Sequence, residues 1–109
     1  MNDCPDVLEL IGRTPLLRLA RMGEPAIFAK AEFLNPGGSI KDRVAKHIIL
    51  EAERRGELAP GMPIVEATSG NTGIGVTLVG VQRGHPVTIV MPENMSEERK
   101  KIIRALGAQ

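Results

Sequence analysis

Between positions 44 and 55 the apolar residues Val44, Ala45, Ile48, Ile49 and Ala52 repeat at helical spacing, while Lys46, Glu51, Arg54 and Arg55 fall mostly on other faces. The pattern predicts a helix that starts near Ser39, a natural N-cap, and stops at Gly56. From position 72 to 81 nearly every residue is apolar or small, which is the composition of a helix packed close to a sheet; its expected span is 71–83, ended by Gly84. A last helix is capped by Ser96, carries Glu97 and Glu98 in its first turn, buries Ile102, Ile103 and Leu106, and stops at Gly107. Between these helices, β-branched runs predict one strand entered at Pro63 and ending at Glu66, and a second over 86–91. Upstream, 14–19 and 26–33 read as two short strands around the Gly23-Glu24-Pro25 turn, an antiparallel hairpin, and 1–11 as a short helix or turn. Strand, helix, strand, helix with short connections implies parallel strands joined by a right-handed crossover. The predicted fold class is therefore α/β: a parallel-sheet βαβα unit preceded by a short β-hairpin.

Composition narrows what such a unit does. With 109 residues and a formal charge of +1, the chain is at most one domain's worth and has no electrostatic reason to seek nucleic acid or an anionic membrane. Two phenylalanines and no Trp or Tyr leave the core to aliphatic packing. A single cysteine, Cys4, rules out an internal disulfide and fits a reducing cytoplasm. His47 and His85 have no cysteine or carboxylate neighbours at ligand spacing, so no metal site is expected and both read as structural or solvated. No apolar run is long enough to span a bilayer.

Two segments carry candidate chemistry. In N-P-G-G-S-I-K-D-R, residues 35–43, the first four residues force a turn and Ser39 then opens a helix, so that Lys41 arrives in the first helical turn. Such a position suits a lysine that attacks a carbonyl, although a solvated lysine fits the same segment. Asp42 adds negative charge to that turn, and Asp42 and Arg43 read as capping and packing residues. In E-A-T-S-G-N-T-G-I-G, residues 66–75, a loop rich in Thr, Ser, Gly and Asn lies between strand and helix. Its backbone N–H groups converge on one point, an anion site for a carboxylate or phosphate; a well-capped turn without a ligand is the plainer alternative.

Together these segments resemble the pyridoxal-phosphate enzymes of the tryptophan-synthase-β structural type, and within it the cysteine synthases (O-acetylserine sulfhydrylases) and their cystathionine β-synthase relatives. The resemblance extends to I-G-R-T-P-L at 11–16, M-P-E-N-M-S at 91–96 and R-A-L-G-A at 104–108. K-D-R combined with S-G-N-T-G favours the cysteine-synthase branch over the dehydratases. The resemblance implies that Lys41 forms the Schiff base with pyridoxal 5′-phosphate and, once released, removes the substrate's Cα proton. It further implies that Thr68, Ser69, Gly70, Asn71 and Thr72 bind the substrate α-carboxylate, and that the Asn71 side chain also bonds the cofactor's 3′ oxygen. The loose glycine set Gly70, Gly73 and Gly75 is assigned to the carboxylate and not to the cofactor phosphate.

The implied reaction is β-replacement: O-acetylserine loses acetate and sulfide adds to give cysteine. A cystathionine β-synthase-type enzyme is the alternative, as is a catalytically silent truncated fragment acting only through protein contacts, with an intact relative or with serine acetyltransferase. In that family residues 1–38 belong with the larger domain and 39–109 begin the smaller αβ domain, while later segments supply the glycine-rich phosphate cradle. The expectation is a portion of a longer, cytoplasmic, homodimeric enzyme.

Overall fold

The computed structural model describes residues 3–109. After a 3-10 turn at Val7–Leu10, β1 (Leu16–Arg18) and β2 (Phe28–Lys30) pair antiparallel, with Leu17 opposite Ala29. A second 3-10 turn, Glu32–Leu34, leads into the glycine loop and α1 (Lys41–Arg54). Then follow β3 (Ile64–Ala67), α2 (Asn71–Gln82), β4 (Val87–Val90) and α3 (Glu97–Ala105). β3 and β4 are parallel, Ile64 opposite Val87 and Ala67 opposite Val90, so β3, α2 and β4 form a βαβ unit. Beyond β4, the Gln109 N–H donates to the Val87 carbonyl and its own carbonyl accepts from Ile89, which opens a further parallel rung on the edge of β4 away from β3.

α2 is the centre of the packing. It touches α1, both parallel strands and α3, and Val79 and Thr77 within it are fully buried. Close approach is possible because small residues face each neighbour: a Cβ at Gly80 would lie 2.6 Å from Val87 Cγ2 and 3.2 Å from Ile64 Cδ1, so here the helix backbone rests directly on the sheet. α1 lies alongside and runs in the same direction, since Lys41 meets Gly75, Ile49 meets Gly80 and Glu53 meets Arg83. The opposite face of the sheet is uncovered, leaving Val65 and Val90 exposed.

The structure shifts two of the sequence expectations for α1. The helix begins at Lys41 and not at Ser39, although the Ser39 hydroxyl still accepts from the Lys41 N–H at 3.2 Å. Its buried face is Asp42, Ala45 and Ile49, while Val44 and Ile48 are exposed, because Asp42 is drawn inward by the preceding loop. The strand expected over 26–33 is cut to three residues, since the chain turns at Glu32 to send its carboxylate inward. The first helix-or-turn segment is the 3-10 turn Val7–Leu10, locked by a capping box between Asp6 and Glu9; Met1 and Asn2 lie outside the described residues.

His85 closes the end of the molecule remote from Lys41. Its buried ring sits 2.9 Å from the Met62 carbonyl oxygen through Nδ1 and 2.9 Å from Glu53 Oε1 through Nε2. Glu53 also accepts from Arg83 at 2.6 Å, and hydrogen bonds first from Arg83 and then from His85 hold its carboxyl below the usual carboxylate range. One imidazole thus joins α1, the loop before β3 and the turn after α2. His85→Ala removes a buried ring and its bonds to the Met62 carbonyl and Glu53 and should lower unfolding free energy in urea by about 1–3 kcal/mol, whereas His47→Ala, on the exposed face of α1, should change it by under about 0.5 kcal/mol.

Candidate active site

The loop that delivers Lys41 has no regular secondary structure, so side chains satisfy its backbone. Buried Asn35 accepts the Gly12 N–H at 2.8 Å and donates to the Glu32 carbonyl at 3.0 Å, the Ser39 carbonyl at 3.1 Å and the Glu32 carboxylate at 2.8 Å. That carboxylate also accepts two bonds from Arg43, Nε at 2.8 Å and Nη2 at 2.9 Å, and one from the Thr14 hydroxyl at 2.7 Å. Arg43 Nη2 reaches Thr14 as well, at 3.2 Å. The fork of hydrogen bonds from Arg43, followed by that from Thr14, pulls the Glu32 pKa from 4.5 to about 2. I-G-R-T-P and N-P-G-G-S-I-K-D-R are therefore one hydrogen-bonded assembly.

Asp42 is not the solvated first-turn charge that its position suggests. It is fully buried and turned back under the loop, where it accepts the Gly37 N–H at 2.5 Å; burial pushes its carboxyl up and the Gly37 bond opposes this. Gly37 has to be glycine, because a Cβ there would run into the Asp42 carboxylate. With Asp42 and Arg43 both facing inward, Lys41 is left exposed, and among the described residues its amine has no hydrogen-bond or ion-pair partner.

The second loop continues from β3. Thr68 N–H still reaches the Val90 carbonyl at 2.9 Å, then the Thr68 hydroxyl accepts from Gly70 N–H at 3.3 Å, and Gly73 N–H donates to the Gly70 carbonyl at 3.0 Å. The backbone N–H groups of Ser69, Asn71 and Thr72 have no protein acceptor among the described residues. Those donors sit at the start of α2, beside an open cavity of about 450 Å³ lined by Ala67, Thr68, Ser69, Val90, Met91 and Pro92 at the C-terminal ends of the parallel strands.

Gly75 brings the two loops together. A Cβ there would lie 2.9 Å from the Lys41 carbonyl oxygen and 3.3 Å from Asp42 N, so the first turn of α1 rests against α2 one helical turn past Asn71. Lys41, Thr68, Ser69, Gly70, Asn71 and Thr72 all occupy this one end of the molecule. The faces of Gly70, Gly73 and Gly75 are filled by Arg99, Thr68 and Lys41 respectively, which leaves no glycine-lined hollow for a phosphate. Sequence reasoning missed Glu32 and Thr14, whose spacing of 18 residues carries no periodic signal, and Arg99, which reaches Ser69 across 30 residues. Among the described residues no three His, Cys, Asp or Glu side chains are placed to hold a metal, and no helix is long and apolar enough to cross a membrane.

Comparison with known proteins gives a consistent result. The family described as pyridoxal-phosphate dependent enzyme matches residues 7–109. The chain is 50% identical over 110 residues to a cystathionine beta-synthase of Apis mellifera, covering 96% of this chain and 22% of that protein. It is 52% identical over 98 residues to cysteine synthase A of Escherichia coli (strain K12), covering 90% and 30%. Among solved structures, O-ureido-L-serine synthase superposes with a TM-score of 0.92 at 46% identity, covering 97% of this chain and 34% of that one. The chain thus spans about a third or less of the length of these relatives.

Two outcomes test the geometry. Because the folded pKa of Glu32 lies below its ordinary 4.5, its contribution to stability is complete above that value and is lost as pH falls toward 2; in an acid titration followed by circular dichroism, Glu32→Gln should remove that share of the pH dependence and lower stability at neutral pH. Gly75→Ala forces α1 off α2 at Lys41 and should cost about 1–3 kcal/mol in urea unfolding.

Proposed function

The chain belongs to the pyridoxal-phosphate dependent enzyme family, and on that footing we propose that it carries the lysine and substrate-carboxylate side of a cysteine-synthase-type active site. The reaction is β-replacement on an activated serine: O-acetylserine loses acetate, and sulfide takes the vacated β-carbon to give cysteine. In this reading residues 39–109 begin the smaller αβ domain, and residues 1–38 are a hairpin segment belonging with the larger one.

The observation that supports the reading is the contact of Gly75 with the Lys41 carbonyl, which brings the first turn of α1, with its exposed and unpaired lysine, against the helix whose start carries three unused N–H donors. The donor set fits the aldehyde side of pyridoxal 5′-phosphate: Lys41 would hold the aldehyde carbon, and the Asn71 side chain would donate to the 3′ oxygen. When bound, the cofactor supplies an electron sink for the substrate's Cα. Lys41, freed as substrate arrives, takes the Cα proton on Nζ. The N–H groups of Ser69, Asn71 and Thr72, with the Thr68 and Thr72 hydroxyls, fix the α-carboxylate at the start of α2 and so orient Cα toward the amine. The cofactor's phosphate would need donors beyond those described, since no glycine-lined hollow remains here.

Two other readings have an observation in their favour. A cystathionine β-synthase-type activity, with a thiol replacing sulfide, is supported by the 50% identity to the Apis mellifera protein. A silent chain that docks with an intact relative or with serine acetyltransferase is supported by the uncovered apolar residues Val65, Val90, Leu16 and Phe28. The exposed free Cys4 supports a reducing, cytoplasmic setting.

Reductive trapping tests the lysine assignment. After incubation with pyridoxal phosphate and reduction with borohydride, peptide mapping should find the label on Lys41, and Lys41→Ala should bring labelling to background. Label spread equally over Lys30, Lys46 and Lys100, or absent altogether, overturns the assignment.

A further inference from the structure

We propose that Arg99 is a positioning residue for the substrate-carboxylate loop, tying the Ser69 carbonyl to the start of α3 so that the N–H donors on either side of it keep their place; this rests on the carboxylate reading of the loop given above. Arg99 stands in the first turn of α3, whose start is fixed by the Ser96 hydroxyl accepting the Arg99 N–H at 3.5 Å. Its guanidinium makes none of the chain's ion pairs among the described residues. Instead Nη1 donates to the Ser69 carbonyl at 2.8 Å. Among the described residues this is the one hydrogen bond that its guanidinium makes, so the side chain is directed at that oxygen.

The geometry gives that direction a purpose. The C=O and N–H of one trans peptide point opposite ways. Arg99 holds the carbonyl end of the 69–70 peptide, and the Thr68 hydroxyl, accepting from Gly70 N–H at 3.3 Å, holds the other. With this plane fixed and the Gly70 carbonyl accepting from Gly73, the Ser69 and Gly70 carbonyls are occupied and the N–H groups of Ser69, Asn71 and Thr72 remain for an anion. Without the Arg99 bond the 69–70 peptide is free to turn, which releases Gly70 N–H from Thr68 and loosens the adjoining peptides that carry the Ser69 and Asn71 donors. The same contact explains Gly70: a Cβ there would lie 2.7 Å from Arg99 Nη1, so any side chain would displace the guanidinium.

The test uses the ¹⁵N-labelled chain with O-acetyl-L-serine as the probe. In the wild-type chain, the amide signals of Ser69, Asn71 and Thr72 should shift on titration. Arg99→Gln should weaken that binding about tenfold and speed amide exchange at Gly70 and Gly73, the bonded amides of the loop, about tenfold, while exchange in α1 and β3 stays at wild-type rates. Arg99→Lys, which keeps the charge and a donor, should recover most of the affinity. Wild-type exchange and affinity in Arg99→Gln overturn the proposal, as does a loss that spreads through α2 and β4 and is not recovered by lysine. A wild-type loop that ignores O-acetylserine overturns the carboxylate reading instead, and the exchange rates then still decide whether Arg99 holds the loop.

Discussion

The carboxylate of Glu32 is the point on which the lysine side of this molecule depends. A segment of Asn, Pro and two glycines cannot be ordered by a helix or strand ladder, yet it must present the following residue in a fixed place. Glu32 solves this by accepting from Arg43, Asn35 and Thr14 at once, so that α1, the glycine loop and the N-terminal motif share one anchor. The arrangement is stronger than an ordinary surface ion pair for a geometric reason. Both carboxylate oxygens are used, the arginine binds through a fork, and Glu32 is mostly shielded from water while its partners are held by the backbone.

The second constraint is closeness. α2 has to lie within backbone contact of β4 at one end and of α1 at the other, and it meets both by omitting side chains at Gly80 and Gly75. Aliphatic residues between them, Val76 and Val79, then fill what remains. The apolar, small-residue composition of this helix is therefore both its packing scheme and the means by which Lys41 comes to stand beside residues 68–72. The lysine loop and residues 68–72 are separated by some 30 positions in sequence, but one helix with two bare backbone patches makes them neighbours.

These facts mark how far the sequence could be read. The βαβα order, the hairpin, the parallel pairing of β3 with β4 and the co-location of Lys41 with residues 68–72 were legible, because periodicity, caps and turn residues are local signals. The buried face of α1 was not: Val44 and Ile48 carry the helical period as well as Ala45 and Ile49 do, and only the inward pull on Asp42 decides which stripe is covered. Glu32 and Arg99 were equally hidden, since each acts on a loop distant in sequence and neither residue type is unusual for a surface. Long-range polar contacts of this kind leave no trace in spacing. Asp42 and Arg43 read as structural residues, and they are, but as members of a network whose other half lies in an earlier segment.

Two parallel helices side by side place like ends of their dipoles together, which is unfavourable unless each end is compensated. At the C-terminal end basic residues outnumber the acids they pair with: Arg54 and Arg55 close α1 and share Glu51, while Arg83 follows α2 and shares Glu53 with His85. At the N-terminal end the nearby acids are unavailable, because Glu32 is taken by Arg43 and Asp42 is buried against Gly37. Arg99 adds a further positive charge there, beside Ser69. At the end of the molecule that holds Lys41 and the free N–H groups the nearby acids are thus already engaged, and in the proposed reading a bound carboxylate supplies the compensating charge. The anion preference proposed for the site would then follow from the direction in which α1 and α2 run, before any single donor is considered.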